Sequence, residues 1–270
     1  MNFILANCRQ GQNKLGIEKT PSIIFNKLNN NIFLSKSIKE FNFNSNKGYN
    51  FIYNYYNNYL KLNNYPIITL GGDHSVASAS CQAFIDNYKE KSHIIWIDAH
   101  TDINTNITSE TNNSHGMPVS KLMNLMNSPI DNKIYNLKPE QITYIGTRSI
   151  DKAEQNIIDN LNIKVYSTND IYFNLKNVIK EINENINDKF IHISYDIDVI
   201  DPLYIKSTGT KIHHGINLEQ NLELIKELTK NNLVISADFV ELNLDLGNKK
   251  DQIQSLNIMV ETIKQFIKYI

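Results

Sequence analysis

The sequence predicts an α/β fold in which a central, mostly parallel sheet of about eight strands carries helices on both faces. Short β-rich runs alternate with amphipathic stretches along the chain, which is typical of parallel strands joined by helical crossovers. Several runs, such as Ile94 to Ile97, are apolar without interruption, as expected for strands covered on both faces. With 270 residues, 41% of them hydrophobic, the chain can bury a full core as one domain spanning residues 1–270.

Eight segments have the apolar and β-branched character of strands. They are Phe3 to Asn7, Ile32 to Ser35, Pro66 to Leu70, His93 to Ile97, Gln141 to Gly146, Lys164 to Tyr166, Phe190 to Tyr195 and Leu233 to Ala237. Helical spacing of apolar residues appears in Ser75 to Tyr88, Asp151 to Leu161, Asp170 to Ile186, Leu218 to Lys230 and Asp251 to Lys268. The second strand has the weakest pattern. The stretch Tyr53 to Tyr59 is rich in asparagine and tyrosine, which could indicate a disordered tract. Because apolar residues interrupt it at helical spacing, we interpret the bias as a drift in the composition of exposed faces.

The composition excludes several classes of partner. Lysine and arginine total 27 against 28 acidic residues, so the chain lacks the basic excess that binding to a nucleic-acid backbone needs. Only four apolar residues, Phe3 to Ala6, precede the next polar residue, which is too few for a signal peptide or a membrane span. Cys8 and Cys81 lie far apart without a metal-binding spacing, so we expect reduced thiols. These features predict a cytoplasmic protein without a nucleic-acid or membrane partner.

Three side chains that can bind a metal follow the fourth strand. Asp98, His100 and Asp102 occupy alternate positions after the apolar run that ends at Ile97. An extended backbone directs every second residue to the same side, so the three side chains can face one point if the extended path continues beyond the strand. They would then lie at the carboxyl end of the sheet, where open α/β sheets bind their ligands. Such a cluster indicates a cation site.

Two further strand ends carry side chains of the same kind. His74 follows the third strand after two glycines, and Asp196 and Asp198 follow the seventh strand. Carboxylates crowded beyond a strand repel one another unless a cation neutralises them, whereas a helix N-cap needs a single Asp. Two imidazoles and four carboxylates are too many donors for one tetrahedral zinc and fit two adjacent divalent cations. The mixed oxygen and nitrogen donors fit Mn²⁺, although Fe, Co, Ni or Zn could bind the same groups.

These strand ends resemble the metal motifs of the ureohydrolase family, and specifically of its arginases. The motifs read Gly71-Gly72-Asp73-His74-Ser75, Asp98-Ala99-His100-Thr101-Asp102 and Ser194-Tyr195-Asp196-Ile197-Asp198-Val199-Ile200-Asp201-Pro202. The resemblance implies a three-layer α/β/α sandwich and a homo-oligomer, a trimer or a hexamer. It also implies two Mn²⁺ ions per chain. The first would be held by His74, Asp98, Asp102 and Asp196, and the second by His100, Asp98, Asp196 and Asp198.

The same resemblance implies the reaction, which is hydrolysis of the guanidinium group of L-arginine to L-ornithine and urea by attack of a metal-bridging hydroxide. Glu241, which follows the eighth strand, matches the family's guanidinium-binding carboxylate, and Thr210 matches a threonine near that pocket. Asp102 would relay a proton toward the leaving amine, and His115 would shuttle protons at the pocket mouth, a role that suits a near-neutral pKa.

The arginase character rests on the residues expected at the amino-acid end of the substrate. Asn104, Thr111 and Asn113 match the family's substrate loop, and such neutral groups can hydrogen-bond an α-carboxylate without burying an unpaired charge. Asp151 and Glu154 match the family residues that meet the α-ammonium group. Without the resemblance, these two acids would also be explained by the preference of a helix N-terminus for negative charge.

Departures from the family and two alternatives remain at this stage. The family element Gly-Val-Glu-x-Gly-Pro appears here as Gly16-Ile17-Glu18-Lys19-Thr20-Pro21, without its second glycine. After Thr210 the family has proline and small residues, whereas this chain has Lys211-Ile212-His213-His214, and we interpret the two histidines as exposed loop residues. An agmatinase, guanidinobutyrase or formimidoylglutamase would share the metal ligands but differ at the substrate loop. A catalytically silent family member that acts as a binding partner is disfavoured, because it has no physical need to keep clustered acids that destabilise a metal-free fold.

Overall fold

Eight parallel strands form one sheet in the structure, a computed structural model that describes residues 1–29, 37–42, 47–63 and 65–270. The strands are β1 (Asn2–Asn7), β2 (Ser37–Asn42), β3 (Ile67–Gly71), β4 (Ser92–Ile97), β5 (Ile142–Thr147), β6 (Lys164–Ser167), β7 (Phe190–Asp196) and β8 (Leu233–Val240). Their order across the sheet is β2-β1-β3-β8-β7-β4-β5-β6. The predicted parallel α/β sheet is therefore confirmed.

Helices cover both faces of this sheet and complete three layers. They are α1 (Thr20–Asn29), α2 (Lys47–Lys61), α3 (Ala77–Tyr88), α4 (Pro118–Leu122), α5 (Lys152–Leu161), α6 (Thr168–Asn185), α7 (Leu218–Lys230) and α8 (Lys249–Tyr269). Helices α1, α6, α7 and α8 contribute to one hydrophobic core, and α2 to α5 contribute to the other. In β4, Ile94 and Trp96 face the second core while Ile95 and Ile97 face the first. Burial on both faces explains the uninterrupted apolar run.

The strand and helix predictions differ from the structure near the N-terminus. The predicted strand Ile32 to Ser35 lies outside the described residues, and β2 begins at Ser37. Helices α1 and α2 were not among the predicted helices. In α2, Tyr53 and Tyr56 are buried while Asn54 and Asn58 are exposed, so the asparagines do lie on the solvent side of a helix.

The helix after β3 begins later than the sequence predicted. Ser75 was expected to begin the next helix, but Asp73 caps a short 3-10 turn by accepting the backbone N–H of Ser75 at 3.1 Å, and α3 starts at Ala77. A Cβ atom at Gly72 would lie 1.9 Å from the backbone oxygen of Cys8. Only glycine fits this close approach of two chain segments.

A buried hydrogen-bond network joins the elements behind the strand ends. The Asp238 carboxylate in β8 accepts from Ser80 in α3, from Tyr56 in α2 at 3.2 Å and from His192 in β7 at 3.2 Å. Cys81 also approaches His192 and Asp238, but these polar atoms already satisfy one another. We therefore interpret this cluster as structural. No helix within the described ranges is both long enough and apolar enough to cross a membrane.

Lys121 in α4 is a buried cation whose charge destabilises the fold. The residue is only 7% exposed, and burial lowers the pKa of its ammonium group to about 8, against a smaller opposing influence of Asp73. A lysine whose pKa falls on folding is harder to keep charged in the native state than in the unfolded chain. The free-energy cost of this buried charge is largest at pH values below the pKa of Lys121 in the folded protein. It disappears at pH values above the pKa of the lysine in the unfolded chain.

We predict that Lys121→Met stabilises the protein by about 3 kcal/mol at pH 7, because burial lowers the pKa of the lysine from 10.5 to about 8. Methionine is also unbranched, is one atom shorter than lysine and carries no charge. The gain should shrink as pH rises from about 8 to about 10.5, because there the unfolded lysine binds a proton that the folded one has lost. Denaturant unfolding of both proteins at pH 7 and pH 10 measures this, and an equal difference at the two pH values would contradict it.

Candidate functional site

The six predicted metal ligands come together at the carboxyl ends of β3, β4 and β7. Strands β4 and β7 pair in parallel with Ile97 opposite Tyr195. Asp98 and Asp196 come next along these two strands, so they lie side by side. His74 reaches both carboxylates from the turn after β3.

The extended path that was expected beyond β4 is present only in part. His100 forms an isolated parallel bridge with Ser149, but Asp102 has a φ of 49°, in the left-handed region. Asp196 and Asp198 flank the start of a 3-10 turn at Ile197. Turns therefore contribute as much as strand alternation to bringing these carboxylates together.

His74 is the centre of one group of donors. Its Nδ1 lies 3.0 Å from Asp98 Oδ2, 3.1 Å from Asp102 Oδ2 and 3.4 Å from Asp196 Oδ2. Among the described residues, this buried nitrogen has no hydrogen-bond partner of good geometry. Its other nitrogen, Nε2, lies 2.8 Å from Ser194 Oγ. A proton on Nε2 that is donated to Ser194 leaves the lone pair of Nδ1 directed at the carboxylates.

His100 is the centre of the second group. Its Nδ1 lies 3.0 Å from Asp198 Oδ2 and 3.4 Å from Asp98 Oδ1. In each group, donor atoms from three residues lie within 4.8 Å of one another. Asp98 belongs to both groups, because its Oδ2 faces His74 and its Oδ1 faces His100.

Neighbouring N–H groups orient the carboxylates. The indole Nε1 of Trp96 donates to Asp98 Oδ2 at 3.1 Å, and the backbone N–H of His100 donates to Asp98 Oδ1 at 2.7 Å. The backbone N–H of Asp198 donates to Asp196 Oδ1 at 2.8 Å, so that Oδ2 of Asp196 stays directed at the donor groups. Hydrogen bonds of this kind fix the direction in which a ligand atom points.

Burial and mutual charge shift the pKa values of these groups. Burial and the charge of neighbouring carboxylates raise the pKa of Asp196 and of Asp102. Burial alone would lower the pKa of His74, but the carboxylates of Asp102, Asp196 and Asp98 close to its ring raise it well above its usual value. A cation competes with protons for such groups. Four carboxylates and two imidazoles, one of which has an unpartnered buried nitrogen among the described residues, form a donor set that fits two divalent cations.

A cavity of about 650 Å³ opens onto the two groups. All of the residues predicted to contact substrate line it: Asn104, Thr111, Asn113, Asp151, Glu154, Thr210 and Glu241. His115 and four of the predicted metal ligands, His100, Asp102, Asp196 and Asp198, line it as well. The other two, His74 and Asp98, are buried next to them.

Glu241 and His115 form a charged pair in this cavity. Nδ1 of His115 lies 3.1 Å from Glu241 Oε1, which also accepts the backbone N–H of His74 at 2.9 Å. Burial would raise the pKa of Glu241, but the hydrogen bond and charge of His115 lower it. Burial would lower the pKa of His115, but the hydrogen bond and charge of Glu241 raise it to about 9. At neutral pH the carboxylate is therefore ionised and the imidazole protonated.

Asp151 and Glu154 both cap the N-terminus of α5 and line the cavity. The Asp151 side chain caps α5 by accepting the backbone N–H groups of Ala153 and Glu154, each at 2.9 Å, and the Glu154 carboxylate accepts the backbone N–H of Asp151. The second oxygen of Asp151 accepts from Asn104 Nδ2 at 2.8 Å. Burial raises the pKa of Glu154 to about 7. Helix capping and a position in the cavity wall are therefore compatible.

The sequence comparisons agree with this geometry. A model of the arginase family matches residues 9–264. An arginase of Saccharomyces cerevisiae (strain ATCC 204508 / S288c) is 38% identical over 208 residues, which cover 73% of this chain and 62% of that protein. The chain belongs to the arginase family. It spans less than two thirds of the length of the yeast arginase that it matches.

Solved structures of the arginase family have the same architecture. The arginase of Entamoeba histolytica, solved in complex with L-ornithine, matches 98% of this chain and 96% of its own with a TM-score of 0.89 at 27% identity. A formimidoylglutamase of Bacillus subtilis matches 99% of this chain and 85% of its own with a TM-score of 0.82. At 19% identity, the latter likeness shows the fold alone.

The segment Lys211–His214, which departs from the arginase pattern, keeps its histidines out of the cavity. His213 and His214 are exposed, with ring centroids 6.5 Å apart, and the described wall of the cavity includes Thr210 and Ile212 instead. The Arg148 guanidinium holds this segment through backbone oxygens. It donates to the oxygen of Ile212 at 2.8 Å and to that of His213 at 3.2 Å.

Several residues of the site were not predicted from the sequence. The guanidinium of Arg148 also donates to the backbone oxygen of Asp198 at 2.7 Å, so it connects a metal-binding turn to the Lys211–His214 segment. Gln12 and Lys14, from the loop after β1, line the cavity. Arg148 lies three residues before Asp151, which was predicted, whereas a glutamine or lysine in a loop carries no metal-like or catalytic spacing.

We predict that Mn²⁺ titration changes the fluorescence of Trp96, the single tryptophan of the chain. Its ring stacks on His74 with centroids 4.2 Å apart, and its indole N–H bonds to Asp98. His74→Asn should weaken Mn²⁺ binding by at least about 100-fold, more than the loss of an outer hydrogen-bond partner usually costs.

The matched control is His213→Asn, which makes the same change at an exposed histidine outside the cavity. Its Mn²⁺ titration should superimpose on that of the wild type. Equal weakening in both variants would show that the metal binds elsewhere.

Proposed function

We propose that this arginase-family chain hydrolyses the guanidinium group of L-arginine to L-ornithine and urea, with two Mn²⁺ ions per chain. The observation that carries the proposal is the placement of six metal-capable side chains and the ionised Glu241 around one cavity. A cation site alone would serve many reactions. Glu241 is a further buried carboxylate that faces the same cavity, and it can bind a cationic substrate.

The metal ligands follow from the two donor groups. His74, Asp98, Asp102 and Asp196 would hold the first ion, and His100, Asp98, Asp196 and Asp198 the second. When bound, two divalent cations supply Lewis acidity and lower the pKa of a water molecule, so that it can attack near neutral pH.

Glu241 would bind and orient the guanidinium group of the substrate. A planar guanidinium presents parallel N–H groups that a carboxylate accepts in pairs. Glu241 is only 5% exposed, and shielding from water strengthens such a charged contact. Holding the guanidinium carbon beside the metal ligands removes most of the entropic cost of bringing the reactants together.

The opposite end of the cavity would select an α-amino acid. Asn104, Thr111 and Asn113 offer neutral groups to an α-carboxylate, and Asp151 and Glu154 offer acidic groups to an α-ammonium. Agmatine has no carboxylate for the neutral groups to bind. A hydrogen bond between Asn104 and Asp151 joins the two sets. The residues that would bind the α-carboxylate and those that would bind the α-ammonium group are therefore connected.

Asp102 is suited to move a proton. Its Oδ2 faces His74 at 3.1 Å, while the residue lines the cavity and its pKa is raised by burial and by Asp98. A carboxylate with a raised pKa can accept a proton from the attacking water and give it to the leaving amine. The products are neutral urea and ornithine, whose side-chain amine leaves as an ammonium group and keeps the positive charge of the guanidinium.

We predict that the wild-type enzyme, loaded with Mn²⁺, releases urea from L-arginine far faster than from agmatine. Asp102→Asn should nearly abolish urea release, because an amide cannot carry the proton. Asn113→Ala should mainly raise the KM for L-arginine, by about tenfold for the loss of roughly one hydrogen bond to a charged group, and should narrow the preference over agmatine. Faster hydrolysis of agmatine by the wild type would favour an agmatinase instead.

We also predict that the KM for L-arginine falls as pH rises toward about 9. His115 supplies the positive charge beside Glu241 in the free protein, with a pKa of about 9. When the guanidinium of the substrate lies beside Glu241, its positive charge lowers the pKa of His115. Substrate binding therefore releases a proton, and a low pH weakens substrate binding.

The variant His115→Asn keeps a hydrogen-bond donor near Glu241 but cannot titrate. Its KM should change less with pH between 7 and 9 than that of the wild type. The same slope in both enzymes would show that another group controls binding.

A further inference from the structure

The loop that follows β1, residues 8–16, is attached to several parts of the site. The backbone N–H of Gly11 donates to Asp73 Oδ2 at 2.6 Å, and its oxygen accepts the backbone N–H of His115 at 3.2 Å. A Cβ atom at Gly11 would lie 2.7 Å from the Cβ of His115. The loop is therefore held against the turn after β3 and against the substrate loop, and no side chain fits at Gly11 between them.

One side chain of this loop contacts the carboxylate that would hold the substrate. The amide nitrogen Nε2 of Gln12 lies 2.9 Å from Oε2 and 3.1 Å from Oε1 of Glu241. Gln12 is 6% exposed and lines the cavity. The contact joins residues 229 positions apart in the chain.

Apart from Gln12, the hydrogen-bond donors around Glu241 all contact one of its two carboxylate oxygens. Oε1 accepts from the backbone N–H of His74 and from His115 as well as from Gln12, whereas Oε2 accepts from Gln12 alone among the described residues. The terminal torsion of a glutamate side chain is broad, so one well-bonded oxygen does not fix the plane of the group. A second contact at Oε2 does fix it.

We propose that Gln12 is a positioning residue that sets the plane of the Glu241 carboxylate for guanidinium binding. This inference rests on the proposed function, because it assumes that Glu241 binds the guanidinium. Parallel N–H groups of a guanidinium need both carboxylate oxygens in one plane with them. Gln12 is neutral, so it can hold the carboxylate without competing for its charge, as a lysine or arginine in the same place would. The remaining lone pairs of Oε2 stay available to the cavity.

The test replaces Gln12 by leucine, which has a similar size but no donor. Gln12→Leu should raise the KM for L-arginine by roughly 10- to 100-fold, as expected for hydrogen bonds to a charged group, and should leave the Mn²⁺ titration of Trp96 within about twofold of the wild type. Gln12→Glu, which puts a second carboxylate against Glu241, should raise KM further. Gln10→Leu makes the matched change at an exposed position of the same loop and should leave KM unchanged.

Crystal structures of the wild type and of Gln12→Leu complete the test. The Glu241 carboxylate plane should rotate in the variant while His74 and the aspartates keep their positions. An unchanged KM, or a carboxylate that keeps its orientation in the variant, overturns the inference. If the wild type releases urea from no guanidino compound, the proposed function fails, and the orientation of Glu241 in the two crystal structures still decides the role of Gln12.

Discussion

Repulsion among buried carboxylates is the constraint on which this site depends. Asp98, Asp102, Asp196 and Asp198 are all less than 10% exposed and approach the same two histidines. Keeping like charges together without water costs free energy that the rest of the fold must supply. The parallel pairing of β4 with β7, the indole N–H of Trp96 and the backbone N–H groups of the strand ends supply part of it. Cations in the two groups would supply the rest.

The parts of the fold that were predicted correctly have a strong local signal. β4 and β7 are short apolar runs followed by paired acids, and the helices α7 and α8 alternate polar and apolar residues over three or more turns. Helix α2 was missed although apolar residues occur at helical spacing in it, because half of its buried residues are tyrosines, which also occur on exposed surfaces. The start of α3 was misplaced because Asp73 and Ser75 are both good caps, and only the three-dimensional turn decides between them.

The candidate site was predictable to the extent that its residues lie next to strand ends. Alternate acids and a histidine after a strand are visible in the sequence, although the left-handed backbone at Asp102 is not. Contacts between distant segments carry no local signal at all. Gln12 contacts Glu241, and Arg148 donates to backbone oxygens of two separate loops. These contacts depend on the arrangement of the whole sheet, so sequence periodicity could not reveal them.

The way in which Arg148 is bound has a consequence for how this region can change. Its guanidinium recognises backbone oxygens of Ile212 and His213 and does not depend on the identity of either side chain. Substitutions at the outward-facing positions of that segment therefore leave its path, and the position of Thr210 beside the cavity, essentially intact. The two neighbouring imidazoles on this rim are therefore not needed to hold the segment in place, and other side chains could occupy their positions without loss of the Arg148 contacts.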